Sequence, residues 1–259
     1  MEHGDRWLMA ATQAARAAAL FLERNWAQPQ EKIAEPDHDV KLRADREAEK
    51  LILEKLQDTP FPVVSEETRS GDAPQDGSPW WAVDPLDGTV NYEKGFPFCA
   101  VSVALMEGST PVLGVIHDFA RHEEFTGMAG RGAWLNGRVI APAASPEDPG
   151  QALLGWGHPL TGTLSEQELA RHYRIQRRFR KVHQMGSAAL AMAYVACGRL
   201  DAYWIDGIMV WDVAAGTAII NAAGGWSVWE PADGTGLIGV SRSASSRDLW
   251  EKTFGNADA

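Results

Sequence analysis

The hydrophobic period first changes at about Val63, and that change constrains the fold more than any other feature. Before it, apolar residues recur at helical spacing. Trp7, Leu8, Ala11, Ala15, Ala18 and Leu22 line one face of a segment from about Asp5 to Trp26, and Leu51, Ile52 and Leu56 line one face of a second from about Arg43 to Gln57. Pro29 closes the first of these. After Val63, short β-branched and aromatic runs are separated by Gly and Pro: Val63-Val64, Trp80 to Val83, Cys99 to Met106, Val112 to Phe119, and Glu124 to Thr126. Glu107-Gly108-Ser109 reads as a hairpin turn. So does the glycine-rich Gly127 to Gly132, which lacks the strand-to-helix spacing of a nucleotide loop. The pattern predicts a largely antiparallel sheet preceded by two helices.

Residues 141–150, with Pro142, Pro146 and Pro149, make the best linker. Beyond it helices and strands alternate: a helix over Met185 to Cys197, a strand over Asp201 to Ile205, a helix over Val213 to Ala223 stopped by Gly224-Gly225, and a strand over Trp226 to Trp229.

The net charge of −11 on 259 residues gives no general attraction for nucleic acid or anionic lipid, so an anionic substrate would need a local reversal of sign. Bound divalent cations would supply it. Two distant cysteines, Cys99 and Cys197, give neither a disulfide framework nor a zinc site, and fit a reducing, cytoplasmic setting. No apolar run reaches the roughly 18 residues of a membrane span, and the start of the chain lacks a signal-peptide pattern. The basic stretch Arg171 to Lys181, with His172, Tyr173 and Phe179 interleaved, reads first as a solvated helix face and second as a contact for RNA or a partner.

The chemistry concentrates in Asp84-Pro85-Leu86-Asp87-Gly88-Thr89-Val90-Asn91-Tyr92. Two carboxylates follow a strand of buried type, with Pro85 setting the turn between them. Such a pair can hold hard cations through oxygen, and amides at Gly88 and Thr89 can hold a phosphate where a helix opens. An ordinary Asp-Pro, Asp-Gly turn remains the plain alternative. Other acids have plain readings too. Glu66-Glu67 follow a strand and can be a solvated pair, and Asp212 can be only a helix cap.

Together these elements resemble the inositol monophosphatase superfamily. Asp84 to Tyr92 is similar to its first signature, Trp211-Asp212-Val213-Ala214-Ala215-Gly216 with Gly224-Gly225 to its second, Ser65-Glu66-Glu67 to its Gly-Glu-Glu element, and Asp39 and Asp45 to its upstream acids. The resemblance implies a layered α-β-α-β-α sandwich of the inositol monophosphatase / fructose-1,6-bisphosphatase type. Residues 1–140 would form an N-terminal α+β half with most metal ligands. Residues 141–259 would form a C-terminal α/β half with Asp212 and the pocket residues.

It also implies a phosphomonoesterase with about two to three Mg²⁺ ions per site, Mn²⁺ as a possible substitute, inhibition by lithium, and a homodimer. Glu66, Asp84, Asp87 and Asp212 would be metal ligands with the carbonyl of Leu86. Asp45 and Thr89 would position and activate the attacking water, with Glu67 in support. Gly88, Thr89, Gly186, Ser187 and Ala188 would line the substrate site.

The sequence departs from the pattern in three places. Ile205 stands where many members carry a Glu that contacts inositol hydroxyls, with Asp206 next to it as a possible substitute. Lys41 replaces the usual Thr after the first acid, and His183 replaces an Arg. Ile205 makes inositol a doubtful main substrate, because an alkyl group cannot accept that hydroxyl's hydrogen bond. Trp204 is a candidate substrate contact. Fructose bisphosphate, adenosine bisphosphate and histidinol phosphate are the alternative substrates. A haloacid-dehalogenase reading of Asp37-His38-Asp39-Val40 is disfavoured, since Lys32 to Pro36 makes a poor strand before it.

Overall fold

Alternation along the stretch around Trp80 decides the layering of the molecule. The structure, a computed structural model, describes residues 2–34, 41–68, 73–74, 76–142, 146, 148–158, 165–232 and 234–255. Helices α1 (Glu2–Asn25) and α2 (Arg43–Leu56) flank a short ladder of β1 (Lys32–Ala34) and β2 (Lys41–Leu42). Next come β3 (Val63–Ser65), β4 (Pro79–Asp87), helix α3 (Thr89–Lys94), β5 (Ala100–Glu107), β6 (Thr110–Asp118), β7 (Glu123–Met128), β8 (Gly132–Leu135) and β9 (Arg138–Ile140). These seven strands form one sheet in chain order, antiparallel except for the pair β3 and β4.

The rest of the chain supplies β10 (Leu153–Trp156), α4 (Glu166–Gln176), β11 (Lys181–His183), α5 (Ala188–Ala196), β12 (Ala202–Met209), α6 (Val210–Ala223), β13 (Trp226–Pro231), β14 (Ile238–Ala244) and α7 (Arg247–Phe254). Its five strands form a mixed sheet in the order β11-β10-β12-β14-β13.

In β4, Trp81 and Val83 point into a core shared with α1 and α2, and Trp80 and Ala82 point into a core shared with α5 and α6. The far side of α5 and α6 meets Tyr203, Ile205 and Trp229 of the second sheet, whose other face buries Trp204 against α4 and α7. The layers therefore run α-β-α-β-α, as expected. Helix α6 has almost no polar face because it lies between two sheets, and its residues from Val210 to Ile220 are all buried. Gly114 and Gly127 let it approach closely: a Cβ at Gly114 would sit 2.3 Å from the Ala215 carbonyl oxygen.

Several sequence expectations change. Strand β4 runs on through Asp87 instead of turning at Pro85. Its pairing with β5 shifts register between Asp84 and Asp87, a bulge that accommodates a residue with no N–H to donate. Helix α5 starts at Ala188, because Ser187 caps it by accepting from the Leu190 amide. Asp37, His38 and Asp39 lie outside the described residues.

Candidate active site

Four chain segments converge where the two sheets face each other across α5 and α6. The face of β4 that carries Trp80 and Ala82 carries Asp84 next, directed at the middle helix layer. Parallel β3 ends alongside, and the Glu66 amide donates to the Val83 carbonyl at 3.1 Å. Ser102, paired with Asp84 across β4 and β5, donates its hydroxyl to the Trp211 carbonyl at 3.0 Å. That bond fixes the first turn of α6, and with it Asp212, over the sheet. Glu66, Asp84 and Asp212 consequently offer carboxylate oxygens that all lie within 4.8 Å of one another.

Asp87, at the end of the same strand, reaches across to α5. Its Oδ2 accepts from the Ser187 hydroxyl and, at 2.7 Å, from the Ala189 amide. Asn91 makes a parallel tie, donating to the Met185 carbonyl at 2.7 Å and the Phe98 carbonyl at 2.8 Å. These bonds draw Gly186, Ser187 and Ala188 to the first signature. Gly88 turns with φ 88°, and a Cβ there would meet the carbonyl oxygens of Phe98 at 3.0 Å and Gly186 at 3.1 Å.

Beneath it, the Thr89 hydroxyl lies 2.9 Å from Asp45 Oδ1 and 3.0 Å from the Leu86 carbonyl oxygen. The Leu42 amide donates to Asp45 Oδ2 at 2.9 Å, so Asp45 is held in the first turn of α2. Glu67 sits outside this line, paired with Lys41 at 2.8 Å and with Arg46 at 3.9 Å.

The cluster carries more negative charge than Lys41, paired with Glu66, can offset. Burial, reinforced by Glu66, Asp212 and Asp87, holds the Asp84 carboxyl well above its ordinary range. Burial does the same to Asp212, with Glu66 and Asp87 adding to it. Burial raises Asp87 to about 7 against the hydrogen bonds from Ser187, Ala189 and Ala188. It raises Asp45 to about 7 against the bond from Thr89. Such groups favour protons or cations, and an all-oxygen donor set with the Leu86 carbonyl nearby fits a hard divalent ion.

A cavity of about 520 Å³ opens over the cluster. Glu66, Asp84, Leu86, Asp87, Gly88, Thr89, Gly186, Ser187, Ala188 and Asp212 line its floor, and Trp156, Tyr203, Ile205, Ile208 and Met209 line a largely apolar wall. Asp45 and Glu67 stand behind the lining.

Asp206 does not reach the cavity. Alternation along β12 turns it to the outer face of the second sheet, where it accepts from the Trp204 indole at 2.9 Å and pairs with His172 Nε2 at 2.9 Å. It therefore cannot replace a Glu at position 205. Trp204, on the same face, is fully buried against α4 and α7 and is no substrate contact. Tyr203 was missed as a pocket residue, although its two-residue spacing from Ile205 on a strand would have found it.

The sequence profile of the inositol monophosphatase family matches residues 4–245. The chain belongs to the inositol monophosphatase family. It is 38% identical to Nus factor SuhB of Xylella fastidiosa over 83% of this chain and 78% of that protein. It is 36% identical to the inositol-1-monophosphatase of Synechocystis over 85% of this chain and 77% of that one. Among solved structures, the inositol monophosphatase from Anabaena (Nostoc) superposes with a TM-score of 0.80 at 29% identity, covering 97% of this chain and 96% of that one. Membership makes the chain a phosphatase of a metal-dependent family, and among the described residues Glu66, Asp84 and Asp212 are placed to hold a metal.

Proposed function

We propose that this phosphatase is a Mg²⁺-dependent phosphomonoesterase acting on a small phosphorylated metabolite, and that inositol 1-phosphate is not its best substrate. The observation that carries the reading is the convergence of Glu66, Asp84 and Asp212 within 4.8 Å on the floor of a cavity. Glu66, Asp84, Asp87 and Asp212, with the Leu86 carbonyl, would hold the cations. When bound, such ions supply Lewis-acid stabilisation to a phosphoryl oxygen and lower the pKa of water.

The chain's own residues do the rest. The amides of Gly88 and Thr89 would hold the phosphate where α3 opens. Thr89 orients the attacking water through its hydroxyl. Asp45, 2.9 Å from the Thr89 hydroxyl, takes the proton that Thr89 relays. Attack in line at phosphorus needs no covalent enzyme intermediate. Ile205 and Tyr203, both buried in the cavity wall, leave no carboxylate to receive the hydroxyls of inositol.

The same reading carries lithium inhibition, a homodimer and a cytoplasmic setting. Supporting the last, Cys99 and Cys197 are free thiols and no described helix is long and apolar enough to cross a membrane.

The test is phosphate release from a panel of inositol phosphates, fructose 1,6-bisphosphate, adenosine bisphosphates, histidinol phosphate and glycerol phosphates, with Mg²⁺ and with EDTA. No Mg²⁺-dependent release from any ester counts against the reading. A clear lead for inositol 1-phosphate counts against the substrate argument alone.

A regulatory role is the second reading, with the basic stretch Arg171 to Lys181 as its surface for RNA or a partner. Part of that stretch is engaged within the chain. His172 is buried, Arg178 donates to the Lys252 and Thr253 carbonyls, and Arg177 lies over Tyr173. Salt-dependent RNA binding without phosphatase activity would favour that reading.

A further inference from the structure

Lys41 is the cationic side chain that lines the cavity floor, and it stands against two carboxylates of the cluster. Its ammonium contacts Glu66 Oε1 and lies 2.8 Å from Glu67 Oε1. Only 16% of the Lys41 side chain and 4% of the Glu67 side chain remain accessible. Position 41 is held by the backbone. It lies in β2, paired with Ala34, immediately before the helix that positions Asp45. Asp45 feels the charge of both glutamates, and Asp212 feels that of Lys41. A basic group is thus built into the acidic cluster, bridging Glu66 and Glu67.

We propose that the Lys41 ammonium is a resident, tethered cation that takes the place of a divalent ion between Glu66 and Glu67. The inference rests on the metal-dependent phosphatase reading and adds to it a limit on metal number. An ammonium at hydrogen-bond distance from a carboxylate excludes a second cation from the same oxygens, both by volume and by like-charge repulsion. It also means that the metal-free protein does not carry the full repulsion of its acids. One unit of positive charge is already present, covalently attached and independent of metal concentration.

The test is a count of bound Mn²⁺ per chain, by equilibrium dialysis and electron paramagnetic resonance, for the wild type, Lys41→Met and Lys41→Gln. Thermal melts in EDTA follow the same samples. The expected result is one more Mn²⁺ per chain in both variants than in the wild type. It is accompanied by a lower melting temperature in EDTA, because the acids lose their resident partner. The Gln variant keeps a polar head that can donate to Glu66 and so guards against a variant that fails to fold. Equal Mn²⁺ counts in all three proteins would overturn the proposal, because the ammonium would then yield its place to metal. Loss of Mn²⁺ in both folded variants would overturn it as well, since Lys41 would then assist metal binding. Absence of Mn²⁺ from the wild type and both variants is the distinct outcome that removes the metal reading itself.

Discussion

Stability of the metal-free protein should fall as pH rises from about 5 to about 8, and Mg²⁺ should remove much of that fall. Asp45 carries the clearest magnitude. Burial pushes its carboxyl from an ordinary value of 3.8 up to about 7, with the Thr89 hydroxyl pulling the other way. The unfolded chain releases this proton near pH 4, and the folded chain keeps it to about pH 7. Between those limits the folded state binds more protons than the unfolded state, so stability declines as pH rises. The contribution is fully present below about pH 4 and is lost as pH passes through about 7. Raising the pH from 5 to 8 crosses about 2 pH units of that window, or about 3 kcal/mol at 1.36 kcal/mol per unit.

For a domain of this size each kcal/mol moves the melting temperature by roughly 2–4 °C, giving a fall of about 6–12 °C from Asp45 alone. Asp87, pushed up to about 7 by burial, acts in the same direction. A cation favours the ionised acids and binds only the folded site, so it stabilises most at the high-pH end. Circular dichroism melts at pH 5, 6, 7 and 8, each with EDTA and with excess Mg²⁺, give the full comparison. Melting temperatures in EDTA that stay level across this range, or curves with and without Mg²⁺ that run parallel, would refute the reasoning.

Three further outcomes are expected. Asp87→Asn and Asp212→Asn should each reduce Mg²⁺-dependent phosphate release by at least about a hundredfold while the circular dichroism spectrum persists; near-normal turnover would remove these residues from the mechanism. Ile205→Glu should raise kcat/KM for inositol 1-phosphate by about tenfold relative to the other esters, because it restores a hydroxyl acceptor on the cavity wall; an unchanged ratio would show that the wall does not set this preference. His172→Ala should cost about 1–3 kcal/mol in urea unfolding, since it strips a buried partner from Asp206, yet leave KM unaltered; a raised KM would return Asp206 to the substrate site.

Much of the layering could be read in the sequence, because burial writes itself into period. Helix α6 is apolar all round, and β4 alternates between two cores while apolar on both faces. What escaped was short or polar. The hairpin of β8 and β9 turns on Asn136 (φ 49°) and Gly137 (φ 75°), an Asn-Gly pair that signals such a turn, but its strands are brief and half-exposed. Strand β14 was missed because Ser241 and Ser243 look like surface residues. They are buried between strands β12 and β13, and Ser243 is hydrogen-bonded to Ser227 at 2.7 Å. In the site, the acids were legible as motifs. Direction was not: Asp206 and Ile205 are adjacent in sequence, and only the register of β12 decides which one meets the cavity.

Packing of the elements that carry them also explains how a chain can hold so many acids together without unfolding. None of Glu66, Asp84, Asp87 or Asp212 sits on an independent loop. Each is the next residue, or nearly so, after a segment whose side chains are fixed in a large core: Val64 in β3, Ala82 in β4, Val210 and Trp211 at the start of α6. Moving any one carboxylate away from its neighbours would drag a tryptophan or a strand end out of the packed layer. Burying a large side chain is worth roughly 1.5–3 kcal/mol, about the size of one carboxylate–carboxylate repulsion at 5 Å with an effective dielectric near 20. Many such side chains oppose a handful of repulsions, so the layers win and the acids stay where cations can meet them. The strain falls on the residues that would do the chemistry, which is where a folded protein tends to tolerate it.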